Sequence, residues 1–194
     1  MPKKQRNHPA RKNKHSQEKN IIIQLGEDDI IPYIQEQEEE PFILIIDGIQ
    51  DAHNLGACLR SAEAAGIQVV IAPQKHTIGL TETVRRIACG SADKIPYVQV
   101  HNLNQILLKL REIGITIVGT GDQGAEILYE VDLKGPLAIV IGSEAHGIHT
   151  KVAEKCDSLV RIPMLGSGDC LNLSVATGIC LFEAVRQRNF EETS

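Results

Sequence analysis

The chain has 194 residues, of which 42% are hydrophobic, and carries a formal net charge of −5. This length fits one compact domain with a tail, since domains most often run to about 100–150 residues. No stretch approaches the roughly 20 apolar residues that cross a bilayer, and the basic N-terminus lacks the apolar run of a secretory signal. We therefore expect a cytoplasmic protein without membrane contact.

Charge is distributed unevenly at the N-terminal end. Residues 1–20 carry seven Lys or Arg against one Glu, whereas residues 21–40 carry seven Asp or Glu and no Lys or Arg. A basic arm ahead of a mildly acidic body often marks contact with nucleic acid, although a solvated tail gives the same pattern. We predict a basic arm and acidic linker over 1–40 and one folded domain over 41–194.

From residue 42 the sequence alternates short apolar runs with segments of helical spacing, which indicates an α/β fold with a mostly parallel sheet and flanking helices. The runs are rich in β-branched residues and lack alternation, as strands buried on both faces do. Strands are predicted at FILIID (42–47), VVIAP (69–73), PYVQV (96–100), ITIVG (115–119) and LAIVIG (137–142). Helices are predicted at 54–66, 81–88, 102–114 and 171–188, while residues 21–40 could hold a short helix or a strand.

The five cysteines and seven histidines do not follow a disulfide or metal-binding pattern. The cysteines are odd in number, widely spaced and free of a C-x-x-C pair. The histidines do not form an H-E-x-x-H motif. We interpret the cysteines as reduced thiols and expect no metal.

The glycines of GTGDQG (119–124) match the spacing of a dinucleotide-binding fingerprint. The segment that follows is too short for a crossover helix before Gly135-Pro136, and the match falls at the fourth predicted strand rather than the first. A nicotinamide dehydrogenase therefore stays a remote alternative.

Three segments near the ends of predicted strands carry polar residues suited to chemistry. DGIQDAHNLGACLRSA (47–62) enters a helix at Asn54, a favoured N-cap residue. IVIGSEAHGI (139–148) leaves a buried strand through a glycine-containing loop, where backbone amides can approach a ligand. RIPMLGSGDCLNLSVATG (161–178) leads into the last helix through a loop with several capping residues. Each segment alone also fits an ordinary capped helix or turn.

Together and in this order, the three segments resemble the motifs of the SpoU (TrmH-like) RNA ribose 2′-O-methyltransferases of the SPOUT superfamily. The match covers about residues 42–188 and is closest in HNLGACLRSA, IACGSA, IPM and SVATGICLFEAVRQR. The resemblance implies transfer of a methyl group from S-adenosyl-L-methionine to a ribose 2′-hydroxyl, at a guanosine of 23S rRNA in the branch that fits best. It also implies a C-terminal deep trefoil knot and a homodimer, neither of which follows from periodicity.

The same resemblance assigns roles to individual residues. It places the cofactor among three loops, 119–121, 142–147 and 162–173, with contacts from Thr120, Gly142, Ile162 and Leu171. For catalysis it indicates Asn54, Arg60, Glu144 and Asn172. Because arginine is effectively always protonated, we interpret Arg60 as gripping the phosphate near the target ribose and stabilising the developing alkoxide.

The sequence departs from the family pattern in two places. Cys170 stands where the family usually has a serine before Leu171-Asn172, and a thiol is a weak hydrogen-bonding group. We also expect the chain to act without the separate N-terminal RNA-binding domain of its closest relatives, its arm or a partner supplying RNA affinity. A tRNA ribose methyltransferase and a catalytically inactive RNA-binding or ribosome assembly factor therefore stay open as alternatives.

Overall fold

The computed structural model of the chain describes residues 24–190, except 122–123, 144–145 and 169. The basic arm predicted over 1–20 therefore lies outside the described residues, as does Glu144. Within the described ranges, no helix combines the length and apolar character that crossing a membrane would need.

Seven strands form one sheet in which every pair is parallel, as the apolar runs predict. They are β1 Phe42–Asp47, β2 Val69–Pro73, β3 Tyr97–Val100, β4 Thr116–Thr120, β5 Glu126–Ile127, β6 Leu137–Gly142 and β7 Ser158–Arg161. The five predicted strands are confirmed to within a residue at each end. The short strands β5 and β7 were not predicted, and the order across the sheet is β3-β2-β1-β6-β4-β7-β5.

Six α-helices accompany the sheet in the described residues: α1 Ile30–Gln35, α2 Ala52–Ala65, α3 Glu82–Ala88, α4 Leu103–Glu112, α5 Thr150–Ala153 and α6 Leu173–Asn189. Side chains of Thr81, Asn102 and Asn172 cap α3, α4 and α6 by accepting backbone N–H groups of the first turn. Among the described residues no α-helix lies between β4 and β6; the chain there forms β5 and a 3-10 helix over Leu128–Glu130, so the glycine fingerprint lacks the helix it would need.

The prediction that α2 begins at an Asn54 cap is wrong. The helix begins at Ala52, and the Asp51 carboxylate accepts the Asn54 backbone N–H at 2.8 Å. Aspartate and asparagine are comparably good caps, and a carboxylate also suits the positive end of the helix dipole, so the earlier residue takes the role. The Asn54 side chain bonds elsewhere, to Asn172.

The sheet separates two apolar clusters, which makes a three-layer α/β/α arrangement. Alternate residues of β1 face opposite ways: Leu44 and Ile46 meet α2, α3 and α6, whereas Ile43 and Ile45 meet α1, α4 and α5. The sequence did not decide whether residues 21–40 hold a helix or a strand. They contain the helix α1, whose side chains pack against the sheet.

The parallel pairing aligns the carboxyl ends of the central strands. Asp47, the last residue of β1, lies level with Gly142, the last residue of β6, and Thr120 of β4 lies level with Ile141. The loops that follow these three strands therefore start side by side at one edge of the sheet, where α/β proteins bind ligands.

Helices α2 and α3 approach each other closely at Gly56. A Cβ on this residue would lie 2.7 Å from the Ile87 Cβ and 3.0 Å from the Val84 carbonyl oxygen. Gly178 of α6 is different, since its nearest neighbour would be the Ser61 hydroxyl oxygen at 3.8 Å. Only the first glycine is required by packing.

We expect Gly56→Ala to lower the free energy of unfolding by about 1–3 kcal/mol, because the two helices must move apart. Gly178→Ala is the matched control and should raise it by roughly 0.5–1 kcal/mol through helix propensity alone. Thermal or urea unfolding followed by circular dichroism measures both. Shifts of the same sign would show that the α2–α3 contact does not select glycine.

Candidate functional site

A cavity of about 550 Å³, here cavity A, opens beside the carboxyl ends of β1 and β6. Its lining combines backbone and polar side chains from four parts of the chain: Gly48, Ile49, Gln50, Asp51, Asn54, His76, Ser143, His146, His149 and Leu173. Segments from each of the three chemistry-bearing motifs therefore meet here, although they are far apart in sequence.

Two of the predicted catalytic residues are in contact at the wall of cavity A. The Asn172 Nδ2 donates to the Asn54 Oδ1 at 3.0 Å, which links residues 118 positions apart. The Asn172 Oδ1 also accepts from the Ser174 backbone at 3.0 Å and from the Ser174 hydroxyl at 2.6 Å. Asn172 thus caps α6 and holds the Asn54 amide at the same time.

The other two predicted catalytic residues are placed differently. Arg60 is exposed on α2, with its Nη1 3.9 Å from the Cys89 sulfur at the end of α3, and it does not line cavity A. Glu144 lies outside the described residues, between Ser143 and His146, which both line the cavity.

A second contact at cavity A was not anticipated from the sequence. The buried Asp47 carboxylate accepts the His149 backbone N–H at 2.7 Å, and the same oxygen lies 3.0 Å from the His149 Nδ1. The two residues are 102 positions apart and belong to no shared local pattern. Nearby, His76 holds a left-handed backbone with φ of 62°, which is uncommon for a residue other than glycine and often accompanies a functional site.

A smaller cavity of about 240 Å³, cavity B, lies between two of the three loops predicted to hold the cofactor, 119–121 and 142–147. It is lined by Thr120, Gly121, Gly124, His146, Gly147, Ile148, Ala153 and Leu159. Three of these residues are glycines, and three carry aliphatic side chains. Because His146 lines both cavities, A and B adjoin each other.

Gly142 shapes the loop between the two cavities. A Cβ here would lie 2.1 Å from the Gly147 carbonyl carbon, so the strand end and the returning loop leave no room for a side chain. Ser143 and Gly147 exchange two backbone hydrogen bonds of 2.9 Å each, which closes the turn. At Gly121, by contrast, a Cβ would meet no heavy atom within 4 Å, which leaves the backbone accessible from cavity B.

Of the four predicted cofactor contacts, only Thr120 lines cavity B. Its hydroxyl donates to the Val140 carbonyl oxygen at 3.1 Å, so its side chain stabilises the β4–β6 pair. Ile162 is half-buried and packs against the apolar cluster, and Leu171 is half-buried near the start of α6. A backbone-lined space with aliphatic walls suits a nucleoside, whose base stacks on apolar groups while its edges bond to amides and carbonyls.

Cys156 lies under the β4 end of cavity B. Its sulfur would be 2.8 Å from a Cβ on Gly119 and donates to the Val152 carbonyl oxygen at 3.5 Å. Burial, together with the nearby Asp157 and Asp47 carboxylates, raises the pKa of Cys156 to about 12. The group is therefore a protonated packing thiol at neutral pH rather than a nucleophile.

Comparison with known proteins identifies the class to which this fold and site belong. The model of the SpoU rRNA Methylase family matches residues 41–182, and the chain belongs to that family. The resemblance that the three motifs predict is thereby confirmed.

Individual relatives agree with this assignment. A protein of Shewanella oneidensis named 23S rRNA (guanosine-2′-O-)-methyltransferase RlmB is 55% identical over 148 residues, which are 76% of this chain and 60% of that protein. The chain thus spans about three-fifths of the length of that relative.

Solved structures give the same picture. The SpoU methyltransferase AviRb of Streptomyces viridochromogenes, in complex with the cofactor AdoMet, matches with a TM-score of 0.75 and 29% identity over 84% of this chain and 63% of that one. The TrmH/SpoU tRNA modifying enzyme of A. aeolicus matches with a TM-score of 0.69 and 30% identity over 82% and 81%.

We expect Asn172→Ala to lower the free energy of unfolding by about 0.5–2 kcal/mol, because α6 loses its capping side chain. Asn172→Ser keeps a capping oxygen and should retain most of the stability, although it loses the amide that holds Asn54. Asn102→Ala removes the equivalent cap of α4 and serves as the reference. Equal losses for the serine and alanine variants in thermal unfolding would contradict a capping role.

Proposed function

We propose that the chain is an S-adenosylmethionine-dependent RNA methyltransferase that methylates a ribose 2′-oxygen, at a guanosine of 23S rRNA. The observation that carries this proposal is the Asn54–Asn172 hydrogen bond, which joins the first and third motifs at the wall of cavity A. The relative from Shewanella oneidensis supports the choice of substrate through its name.

Cavity B is the proposed cofactor site. Backbone groups of Thr120, Gly121 and Gly147 would bind the nucleoside edges, and Ile148 and Leu159 would contact its apolar face. Gly142, Ile162 and Leu171 do not line cavity B. They would act on the cofactor partly by shaping the surrounding loops. S-adenosylmethionine, when bound, supplies a methyl group activated by its attachment to a positively charged sulfur.

Cavity A is the proposed site of the target nucleotide. Methyl transfer is an in-line displacement, so the protein must hold the attacking 2′-oxygen within a narrow range of positions relative to the methyl group. The Asn54 amide, fixed by Asn172, can hold a ribose or phosphate group in this way, and Glu144 would act from the adjoining loop. Arg60, exposed and permanently charged, suits a phosphate of the RNA backbone.

We also propose a homodimer whose sites lie at the subunit interface. Helix α6 presents an apolar stripe on one face: Val175 and Phe182 are 50% and 47% exposed, and Ile179 lies between them. Such a stripe is suited to a partner helix. Because Arg60 lies outside cavity A of its own chain, a second copy could bring an arginine to each site.

A deep trefoil knot in the C-terminal part belongs to the same proposal. The chain runs from β4 to the edge strand β5, returns to β6, and then inserts β7 between β4 and β5. This order departs from the simple, uncrossed connections that most sheets use, which supports a knotted path. The arm over 1–20 would add phosphate contacts whose strength falls with salt.

Transfer of a labelled methyl group from S-adenosylmethionine to purified rRNA and tRNA tests the proposed reaction. Label at a guanosine 2′-oxygen of 23S rRNA is the expected result. Label in tRNA would favour the alternative to which the A. aeolicus structure points. Cofactor binding without transfer to either RNA would overturn the enzymatic proposal and favour an inactive RNA-binding factor.

We expect Arg60→Lys to lower methyl transfer by about tenfold or more, because lysine keeps the charge but loses the planar fork that binds phosphate at two points. Cofactor affinity and melting temperature should not change, since Arg60 is exposed. Arg111→Lys, on the helix layer of the other face, is the control. Wild-type turnover in Arg60→Lys would remove the need for bidentate contact.

A further inference from the structure

We propose, resting on the proposed methyltransferase function, that His149 is a catalytic residue that accepts the proton of the target 2′-hydroxyl, with the buried Asp47 fixing its orientation. The Asp47 side chain is 5% exposed, whereas the His149 side chain is 52% exposed and lines cavity A. The pair therefore joins a buried carboxylate to an accessible imidazole.

The contact with Asp47 decides which ring nitrogen of His149 carries the proton. We assign the proton to the Nδ1, which lies 3.0 Å from the Asp47 Oδ2, because an ionised carboxylate can only accept hydrogen bonds. In the neutral ring the Nε2 then has a free lone pair. Among the described residues the Nε2 has no hydrogen-bond partner, which leaves it available to a substrate.

His101 makes the same kind of contact with a carboxylate and serves as a comparison for His149. His101 donates its backbone N–H to the Glu27 carboxylate at 2.8 Å, and its Nδ1 lies 3.2 Å from the same oxygen. However, Glu27 is 24% exposed and His101 is 79% exposed, and neither lines cavity A or B. The difference at His149 is the buried partner and the cavity.

Burial of Asp47 gives the pair a chemical use. A carboxylate shielded from water stabilises a neighbouring imidazolium more strongly than an exposed one does. In the described residues Asp47 forms no ion pair with a lysine or arginine. The His149 ring is therefore the group with which the negative charge of Asp47 interacts. The arrangement is the same orienting contact that carboxylates make with catalytic histidines in hydrolases.

The position of His149 suits the proposed reaction. It shares cavity A with Asn54, and His146 joins that cavity to the proposed cofactor site. The other titratable side chains that line cavity A are Asp51, His76 and His146, and its described lining contains no lysine or arginine. Arg60 cannot accept a proton at neutral pH, so a separate acceptor is needed.

The step is balanced without a further reactant. The 2′-oxygen gives its proton to the His149 Nε2 and forms a bond to the methyl carbon. The carbon–sulfur bond breaks, and its electron pair stays on the sulfur, which becomes neutral. The imidazolium then releases its proton to water after the methylated RNA leaves.

His149→Asn tests the role, because its amide can still donate to Asp47 while the acceptor at Nε2 is lost. Single-turnover methyl transfer should fall by about 10²-fold or more, the range of a lost general base. Affinities for S-adenosylmethionine and RNA should be unchanged. His101→Asn removes the equivalent ring outside the cavities and should have no effect.

Two further readouts separate catalysis from structure. Added imidazole should partly restore transfer by His149→Ala. Nitrogen NMR of the cofactor-free wild-type chain should show His149 protonated at Nδ1 and not at Nε2, which requires no activity at all.

Each result has a defined meaning. Transfer by His149→Asn within about threefold of wild type, or a ring protonated at Nε2, would overturn the role of His149 and leave the proposed function intact. A wild-type chain that binds S-adenosylmethionine but methylates no RNA would overturn the proposed function, and the role of His149 with it.

Discussion

The parallel pairing of β1 with β6 is the constraint on which the rest of the site depends. Six residues of each strand pair in register, and both strands end at the same level, at Asp47 and Gly142. A slip of one residue would turn the Asp47 side chain to the opposite face of the sheet. The register is secured because both strands are buried throughout, so any slip would also misplace a run of core side chains.

Two structural requirements apply at the carboxyl ends of β1 and β6. Asp47 is 3% exposed and needs hydrogen-bond partners, since a buried carboxylate without them is strongly destabilising. Gly142 leaves no space for a side chain, so the following loop can fold back against the strand. That return carries His146 to the boundary of the two cavities and His149 onto the Asp47 carboxylate. The register of β1 and β6 thereby determines which side chains lie at the two cavities.

The sequence reveals the parts of this arrangement that depend on local patterns. Strands buried on both faces, such as β1, β2 and β6, leave continuous apolar runs that predict them. Strands β5 and β7 are short and partly exposed, so no run marks them. The order of the strands in the sheet cannot be read from the sequence either, because most sheets have uncrossed connections and this sheet departs from that rule. The family motifs point to Asn54 and Asn172, but no pattern connects Asp47 to a histidine 102 residues later.

The positions of the charged groups indicate how the tasks of the proposed reaction are divided. A phosphate of structured RNA lies on the outside of the nucleic acid, so a residue that grips it should be exposed, as Arg60 is. A proton acceptor must instead reach the reacting hydroxyl, and it gains from a partner shielded from water, as His149 does from Asp47. One side chain could not meet both demands, because the permanent charge that suits arginine to phosphate prevents it from accepting a proton. The exposed position of Arg60 and the buried partner of His149 therefore fit a division between RNA binding and proton transfer.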